Sequence, residues 1–207
     1  MLVCGVDEAG RGSMIGPLVV AAITIEKSKI KKLSEIGVKD SKKLSPKTRD
    51  VMYKQIIKIV DNYAISKASP RQIDLAVAKH NLNNLESLHM ARVIEKLQPS
   101  VSFVDSCDVN ATRFGKEIAK MCHSKVQAYH HADSKFVVVS AASIIAKVTR
   151  DREITKISKK NPVGSGYPSD SKTISFVKDW FAKNGQLPKF VRKSWAPAKL
   201  IVSQSLT

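Results

Sequence analysis

The sequence predicts an α/β fold in which helices flank a mixed, five-stranded sheet and a small helical extension follows at the C-terminal end. Short apolar runs rich in β-branched residues recur along the chain, and segments with helical spacing lie between them. Strands predominate at the beginning and helices with strands follow, which favours a mixed sheet over a strictly alternating parallel one. A glycine-rich break after residue 160 is followed by another helical segment.

These patterns place each element along the chain. We predict strands at residues 2–6, 17–25, 62–68, 101–105 and 125–129. We predict helices at residues 46–60, 71–77, 83–97, 111–121, 136–157 and 172–183, the first of them beginning at the pair Ser45-Pro46. The main domain is therefore expected to span residues 1–160 and the helical extension residues 161–207.

The charge balance indicates a polyanionic partner. The chain has 207 residues with 35 Lys and Arg against 18 Asp and Glu, a net charge of +17. Such a field concentrates polyanions at the protein surface, so nucleic acid is the first candidate partner and an anionic membrane surface the second. The membrane alternative is weaker, because no basic amphipathic helix carries bulky aromatic residues.

Cysteine usage and hydropathy predict the compartment. Cys4, Cys107 and Cys122 form no C-x-x-C pair and are odd in number, which is typical of a reducing environment rather than of a disulfide scaffold. No signal-peptide pattern is found, and no apolar run approaches the roughly 20 residues of a membrane span. We expect a soluble, cytoplasmic protein without a membrane segment.

Acidic residues end two of the predicted strands. Asp7 and Glu8 follow the first apolar run, and Asp105 ends the fourth strand. If these strands are parallel neighbours, the acids meet at the carboxyl end of the sheet. Clustered carboxylates favour a bound cation, and their hard oxygen atoms suit Mg²⁺ or Mn²⁺. Adjacent strand residues point to opposite faces, so Glu8 is expected to join Asp7 only if the glycine-rich chain bends.

A narrow polar stripe marks the predicted helix 136–157. At helical spacing, an otherwise apolar segment carries the polar residues Ser140, Ser143, Lys147, Arg150 and Asp151. Asp133 lies seven residues before Ser140 on the same side. We expect the two serines and the lysine to contact a substrate. The alternative is an amphipathic helix whose stripe meets only water.

Several loop residues are suited to phosphate or sugar contacts. Gly10, Arg11 and Gly12 would allow close backbone approach and offer a guanidinium to a phosphate. Lys42 belongs to a basic cluster, and Tyr167 on a glycine turn could stack on a sugar or base. The alternatives are an ordinary turn for residues 10–12, a solvated run of charges for Lys42 and packing in the core for Tyr167. The His and Cys pairs at residues 122–123 and 130–131 lack structural-zinc spacing.

Taken in order, these motifs resemble the type 2 ribonuclease H family, the ribonucleases HII, in its archaeal form. The resemblance covers roughly residues 1–170 and is strongest in GVDEAGRG and VSAASIIAKV. The matching stretches lie at residues 5–12, 40–45, 104–105, 132–135, 139–148 and 164–167.

The resemblance implies the ribonuclease H-like fold and assigns roles within it. Asp7, Glu8, Asp105 and Asp133 match the family's four catalytic, metal-binding acids. The glycine-arginine-glycine motif and Tyr167 match the groups that contact the 2′-hydroxyl at an RNA–DNA junction, and Lys42 matches a phosphate contact.

The activity that the resemblance implies is an endonuclease of DNA replication and repair. It would hydrolyse the RNA strand of RNA/DNA hybrids and cut at ribonucleotides embedded in duplex DNA, leaving 3′-hydroxyl and 5′-phosphate ends. Two Mg²⁺ or Mn²⁺ ions would support in-line attack. A resolvase-like or integrase-like two-metal nuclease and a non-catalytic nucleic-acid-binding module are the alternatives. Archaeal relatives often end in a sliding-clamp-binding peptide, but residues 199–207 lack its paired aromatics.

Overall fold

The computed structural model describes residues 1–38 and 44–204 and contains a mixed five-stranded sheet. Its strands are β1 (Leu2–Ala9), β2 (Leu18–Glu26), β3 (Asn62–Ala68), β4 (Val101–Asp105) and β5 (Lys125–Tyr129). They lie in the order β3-β2-β1-β4-β5. β1 is antiparallel to β2 and parallel to β4, and β4 is parallel to β5. The predicted mixed α/β sheet is therefore confirmed.

Helices occupy most of the remaining described chain. They are α1 (Ile30–Glu35), α2 (Pro46–Ile59), α3 (Pro70–Ala78), α4 (Leu82–Leu97), α5 (Ala111–Ala119), α6 (Ala132–Lys135), α7 (Val137–Ser158), α8 (Ser171–Asn184) and α9 (Ala196–Gln204). All six predicted helices are present, with ends shifted by a few residues. The short helices α1 and α6 and the C-terminal α9 were not predicted. A single 3₁₀ turn, Lys27–Lys29, precedes α1.

Serine-proline pairs set the beginning of two helices. Ser45 caps α2 and accepts a hydrogen bond from a backbone N–H three residues later, with Pro46 at the first helical position. Ser69 and Pro70 begin α3 in the same way, and Gln72 completes a reciprocal capping box. Local sequence alone therefore fixes where these helices begin.

Alternate residues of the central strands face two hydrophobic clusters. Val3 and Ile23 lie in one cluster with buried residues of α1, α2 and α7. Cys4, Val6 and Ala22 lie in the other with buried residues of α4 and α5. Helices therefore pack on both faces of the sheet, as expected when a nearly continuous apolar strand is buried on both sides.

A glycine allows the close packing of β1 against α7. A Cβ atom added to Gly5 would lie 2.2 Å from both the carbonyl carbon and the oxygen of Val138. Backbone atoms of the first turn of α7 occupy the space that any other side chain would need. This contact sets α7 against the strand that carries Asp7 and Glu8.

The chain forms two compact units, each assembled from distant segments. The first comprises Met1–Ala9, Val19–Lys67 and Asn83–Val148 and contains the sheet with both clusters described above. The second comprises Gly10–Leu18, Ala68–Leu82 and Thr149–Thr207. The domain boundary predicted at residue 160 stays a prediction.

The second unit has its own hydrophobic core. Met14, Ile15, Phe181 and Val191 are among its buried members, together with residues of α7, α8 and α9. The backbone N–H groups of Met14 and Ile15 both bond to the carbonyl of Gly166, at 2.8 and 3.0 Å. Segment Gly10–Leu18 is thus held by residues that lie about 150 positions later in the chain. Among the described residues, no helix combines the length and apolar character that crossing a membrane requires.

Candidate active site

Three of the predicted acids form one carboxylate cluster in the first unit. β1 and β4 run parallel, and their last registered pair is Val6 with Val104. Asp7 and Asp105 each follow that pair by one residue and therefore lie at the same end of the two strands. One carboxylate oxygen from each of Asp7, Glu8 and Asp105 lies within 4.8 Å of the other two.

Glu8 joins the cluster without the bend that the sequence led us to expect. The register between β1 and β2 continues through Asp7 and Glu8 to Ala9 without a bulge. The parallel pairing with β4 ends before these residues. Because glutamate carries one more methylene than aspartate, its carboxylate can reach past this unpaired edge toward Asp7.

Asp133 lies close to the cluster but outside its most compact part. It is buried on α6, and its negative charge contributes to raising the pKa of Asp7. Asp105 Oδ1 accepts a hydrogen bond of 2.6 Å from the backbone N–H of Ala132, which ties the end of β4 to this helix. His131, just before α6, adopts a left-handed conformation with φ of 55°. The turn at His131 therefore places Asp133 near the other three acids.

Burial and mutual repulsion set the electrostatics of the site. Asp7 is 4% exposed. Burial, and then the negative charge of Asp105, raise the pKa of the Asp7 carboxyl to about 7. The Ser143 hydroxyl and the Glu8 backbone N–H, the latter at 2.7 Å, donate hydrogen bonds to Asp7 and act in the opposite direction. Full ionisation of the cluster is therefore unfavourable without a cation.

The donor set of the cluster fits a hard divalent cation. Asp7, Glu8 and Asp105 offer carboxylate oxygens only, as Mg²⁺ and Mn²⁺ prefer. Among the described residues, no other group of three His, Cys, Asp or Glu side chains has its potential ligand atoms this close together. His123 instead bonds to Glu95 through Nδ1 at 2.9 Å.

The polar stripe of α7 contacts the acids through Ser143. Ser140 and Ser143 are 2% and 6% exposed, whereas Lys147 is half-buried. Ser143 contacts Asp7, so its hydroxyl orients an acid of the cluster. The substrate contacts predicted for these three residues stay predictions.

The neighbouring Asp108 has a structural role. Its carboxylate accepts hydrogen bonds from the Asn110 backbone, the Asn83 amide and the Arg113 guanidinium, each at 2.7–2.8 Å. The hydrogen bond from the Asn110 N–H has the largest effect and, together with the Arg113 guanidinium, lowers the pKa of Asp108 to about 2. Burial acts in the opposite direction but is outweighed. Asp108 is therefore held within the loop after β4.

In the second unit, Gly10, Arg11 and Gly12 form a turn that a buried arginine supports. Gly10 has φ of 86°, which favours glycine. Its carbonyl oxygen accepts a bond of 2.8 Å from the Ser13 hydroxyl and one of 2.7 Å from Arg192 Nη2. Sequence reasoning missed Arg192, because nothing in the segment KFVRKSW distinguishes it from a surface arginine.

Tyr167 lies in the same unit and stacks on a second buried arginine. The guanidinium carbon of Arg150 lies 4.2 Å from the centre of the Tyr167 ring. Arg150 is 1% exposed, and its Nη1 is 3.1 Å from an Asp151 carboxylate oxygen. The sequence predicted the helical stripe that contains Arg150 but not its contact with Tyr167. Lys42, the last of the predicted substrate contacts, lies outside the described residues.

Comparison with known proteins gives consistent matches over nearly the whole chain. The family model for ribonuclease HII matches residues 4–198. A ribonuclease HII from Cenarchaeum symbiosum is 52% identical over 201 residues, which are 97% of this chain and 98% of the relative. The crystal structure of ribonuclease H2 from Pyrococcus horikoshii OT3 has a TM-score of 0.93 at 41% identity, with complete coverage of both chains. Ribonuclease HII in a complex with PCNA from Archaeoglobus fulgidus has a TM-score of 0.88 at 40% identity, covering 94% of this chain and 95% of that one.

Proposed function

Because this chain belongs to the ribonuclease HII family, we propose that it cuts the RNA strand of RNA/DNA hybrids and also cuts at single ribonucleotides within duplex DNA. The carboxylate cluster of Asp7, Glu8 and Asp105 carries this proposal. Acidic side chains repel phosphate unless a cation intervenes, so such a cluster in a chain of net charge +17 favours metal-assisted cleavage over simple binding.

The four acids would hold the catalytic ions. Asp7 and Asp105 come from adjacent parallel strands and are the strongest candidates for direct ligands, with Glu8 and Asp133 completing the site. When bound, two Mg²⁺ or Mn²⁺ ions would supply an activated water and stabilise the leaving oxygen, giving 3′-hydroxyl and 5′-phosphate ends. The Ser143 hydroxyl and the Glu8 N–H would keep the Asp7 carboxylate in one orientation.

Recognition of the ribonucleotide would come from the glycine-arginine-glycine turn and Tyr167. A 2′-hydroxyl distinguishes RNA from DNA and can both donate and accept hydrogen bonds. The backbone of residues 10–12 and the Tyr167 side chain are the proposed contacts. Tyr167 is supported by its stack on the buried Arg150, which backs one face of the ring. Lys42 and the α7 residues Ser140, Ser143 and Lys147 are retained as further proposed substrate contacts.

The proposed partners follow from this activity. Cutting at embedded ribonucleotides would give the protein a role in DNA replication and repair, and we retain the cytoplasm as its proposed location. The Archaeoglobus relative was solved with PCNA, and a sliding clamp is a second proposed partner, one that the C-terminal residues do not support. Residues 199–207 contain no aromatic side chain.

One assay tests the proposal directly. Purified protein is titrated with Mg²⁺ or Mn²⁺ on two labelled duplexes that differ only in one 2′-hydroxyl. We expect metal-dependent cleavage of the ribonucleotide-containing duplex alone, whereas cleavage of both would favour a nuclease that ignores the sugar. Absence of metal-stimulated cleavage would favour a binding module.

Paired variants assign the chemistry to the cluster. Asp7→Asn removes a proposed ligand and a negative charge, so cleavage should fall by at least about a hundredfold while binding to the hybrid survives. Asp108→Asn is the matched control, because Asp108 is equally buried but bonds to Arg113 and Asn83. Retained cleavage by Asp7→Asn would exclude Asp7 from metal binding.

A further inference from the structure

The Arg192 side chain links the C-terminal segment to the glycine-arginine-glycine turn. Its guanidinium is fully buried and donates three hydrogen bonds to backbone carbonyls. Nη2 bonds to Gly10 at 2.7 Å, Nη1 to Arg11 at 2.8 Å and Nε to Gly16 at 3.1 Å. A planar guanidinium has a fixed donor geometry, so these bonds fix the orientation of the peptide groups that they contact.

The orientation of these carbonyl groups also fixes the direction of the backbone N–H groups that follow them. No peptide bond among the described residues is cis, and in a trans peptide the N–H of one residue points opposite to the preceding carbonyl. The Gly10 and Arg11 carbonyls accept from Arg192, so the N–H groups of Arg11 and Gly12 point away from it. A Cβ added to Gly12 would meet nothing within 4 Å, so the turn is open at this position.

Two backbone donors are therefore presented together while a buried positive charge lies behind them. Successive N–H groups arranged in this way favour an electron-rich oxygen atom. The guanidinium strengthens this preference, because electrostatic effects are larger in a buried environment than in water. A ribose hydroxyl or a phosphodiester oxygen has the required chemistry.

We propose that Arg192 is a positioning residue for ribonucleotide recognition, holding the Arg11 and Gly12 N–H groups in the orientation that reads the sugar. This inference rests on the proposed function, in which residues 10–12 contact the ribonucleotide. In this role Arg192 acts through the backbone of residues 10–12 and not by contact with the substrate. Lysine cannot replace it, because a single ammonium group cannot reproduce the planar, three-point arrangement.

Binding measurements separate this role from a merely structural one. All variants carry Asp7→Asn to prevent cleavage, and fluorescence anisotropy gives Kd for a DNA duplex with one ribonucleotide and for the identical all-DNA duplex. The Kd for the all-DNA duplex divided by the Kd for the ribonucleotide-containing duplex reports sugar discrimination independently of catalysis. A ratio above one means that the protein prefers the ribonucleotide. We expect Arg192→Lys and Arg192→Gln to bring this ratio about fivefold to tenfold closer to one, as loss of well-oriented hydrogen bonds would produce.

Asp74→Ala provides a matched control in the same part of the chain. Asp74 accepts hydrogen bonds from the backbone N–H groups of Lys193 and Ser194, at 3.1 and 2.9 Å, and from the Ser194 hydroxyl at 2.6 Å. Its removal should lower the melting temperature but leave the Kd ratio near that of the Asp7→Asn parent. Thermal melts and circular dichroism confirm that each variant is folded.

The outcomes distinguish this inference from the proposed function. If the Asp7→Asn parent discriminates and Arg192→Lys discriminates equally well, the role of Arg192 alone is overturned. The same holds if Arg192→Lys weakens binding equally to both duplexes. A parent that does not discriminate overturns sugar recognition by residues 10–12, and the role of Arg192 with it. A lower ratio in Asp74→Ala as well as in Arg192→Lys would show that general loosening is the cause.

Discussion

At the scale of single residues, the carboxylate cluster stores repulsion that a metal ion would relieve. The pKa of Asp7 rises from its ordinary 3.8 to about 7, chiefly through burial and the neighbouring Asp105. The folded protein therefore binds this proton more tightly than the unfolded chain does. By linkage, stability falls as pH rises from about 4 to about 7 and then levels off.

Removing the Asp7 charge should therefore stabilise the metal-free protein at high pH. In EDTA at pH 8, we expect Asp7→Asn to melt higher than the unaltered protein, by roughly 2–4 °C for each kcal/mol regained. At pH 4 the difference should vanish, because Asp7 is protonated in the folded protein. Adding Mg²⁺ should raise the melting temperature of the unaltered protein much more than that of the variant. Equal melting temperatures in EDTA at pH 8 would contradict the repulsion described here.

The Tyr167 ring supports a second prediction at this scale. Tyr167→Ala should lose more activity on a duplex with one embedded ribonucleotide than on a long hybrid, where many junction-independent contacts remain. Tyr167→Phe keeps the ring over Arg150 and serves as the matched variant for the hydroxyl. Cleavage rates on the two substrates test this, and equal losses for Tyr167→Ala would count against a role at the junction.

Individual site residues differed in how far the sequence could predict them. Asp7 and Asp105 could be paired from strand ends alone, because parallel neighbours bring their carboxyl ends together. Glu8 was expected to need a bend in the chain, because adjacent strand residues point to opposite faces of the sheet. That rule gives the direction in which a side chain leaves the backbone but not how far its carboxylate reaches. Arg192 gave no signal, because its partners are backbone carbonyls about 180 positions earlier, and every residue type has such carbonyls.

At the scale of elements, the packing of β1 on α7 depends on the absence of one side chain. We expect Gly5→Ala to destabilise the protein by about 1–3 kcal/mol or more, since its Cβ would overlap the backbone of Val138. Urea unfolding measures this loss. Gly12→Ala is the control for stability, because a Cβ there meets nothing within 4 Å. A Gly5→Ala protein as stable as the control would show that the strand and helix can separate without cost.

Two of the helices that were not predicted, α6 and α9, lack the local signals on which such a prediction depends. α6 has four residues, too few for a 3.6-residue period to show. α9 buries Ala198 and Ile201, but it opens with Ala-Pro-Ala and lacks acidic residues in its first turn. By contrast, α2 and α3 begin at serine-proline pairs whose capping is local, so their beginnings could be predicted.

At the scale of the whole molecule, the excess of 35 basic over 18 acidic residues predicts strongly salt-dependent binding. The logarithm of the association constant should fall linearly with the logarithm of salt concentration, with a slope of about −0.9 for each duplex phosphate neutralised. Anisotropy with Asp7→Asn in EDTA gives this slope without cleavage. A slope near zero would mean that the positive charge does not contact the backbone.

The dependence of the glycine-arginine-glycine turn on Arg192 also bears on the order in which the protein matures. Synthesis proceeds from the N-terminus, so all four acids, the last of them Asp133, leave the ribosome well before Arg192 does. Until then, Gly10 and Arg11 lack the guanidinium that orients their carbonyls. A nascent or prematurely terminated chain ending before residue 192 would thus carry every proposed ligand for the ions, whereas the turn proposed to tell ribose from deoxyribose would still be unsupported.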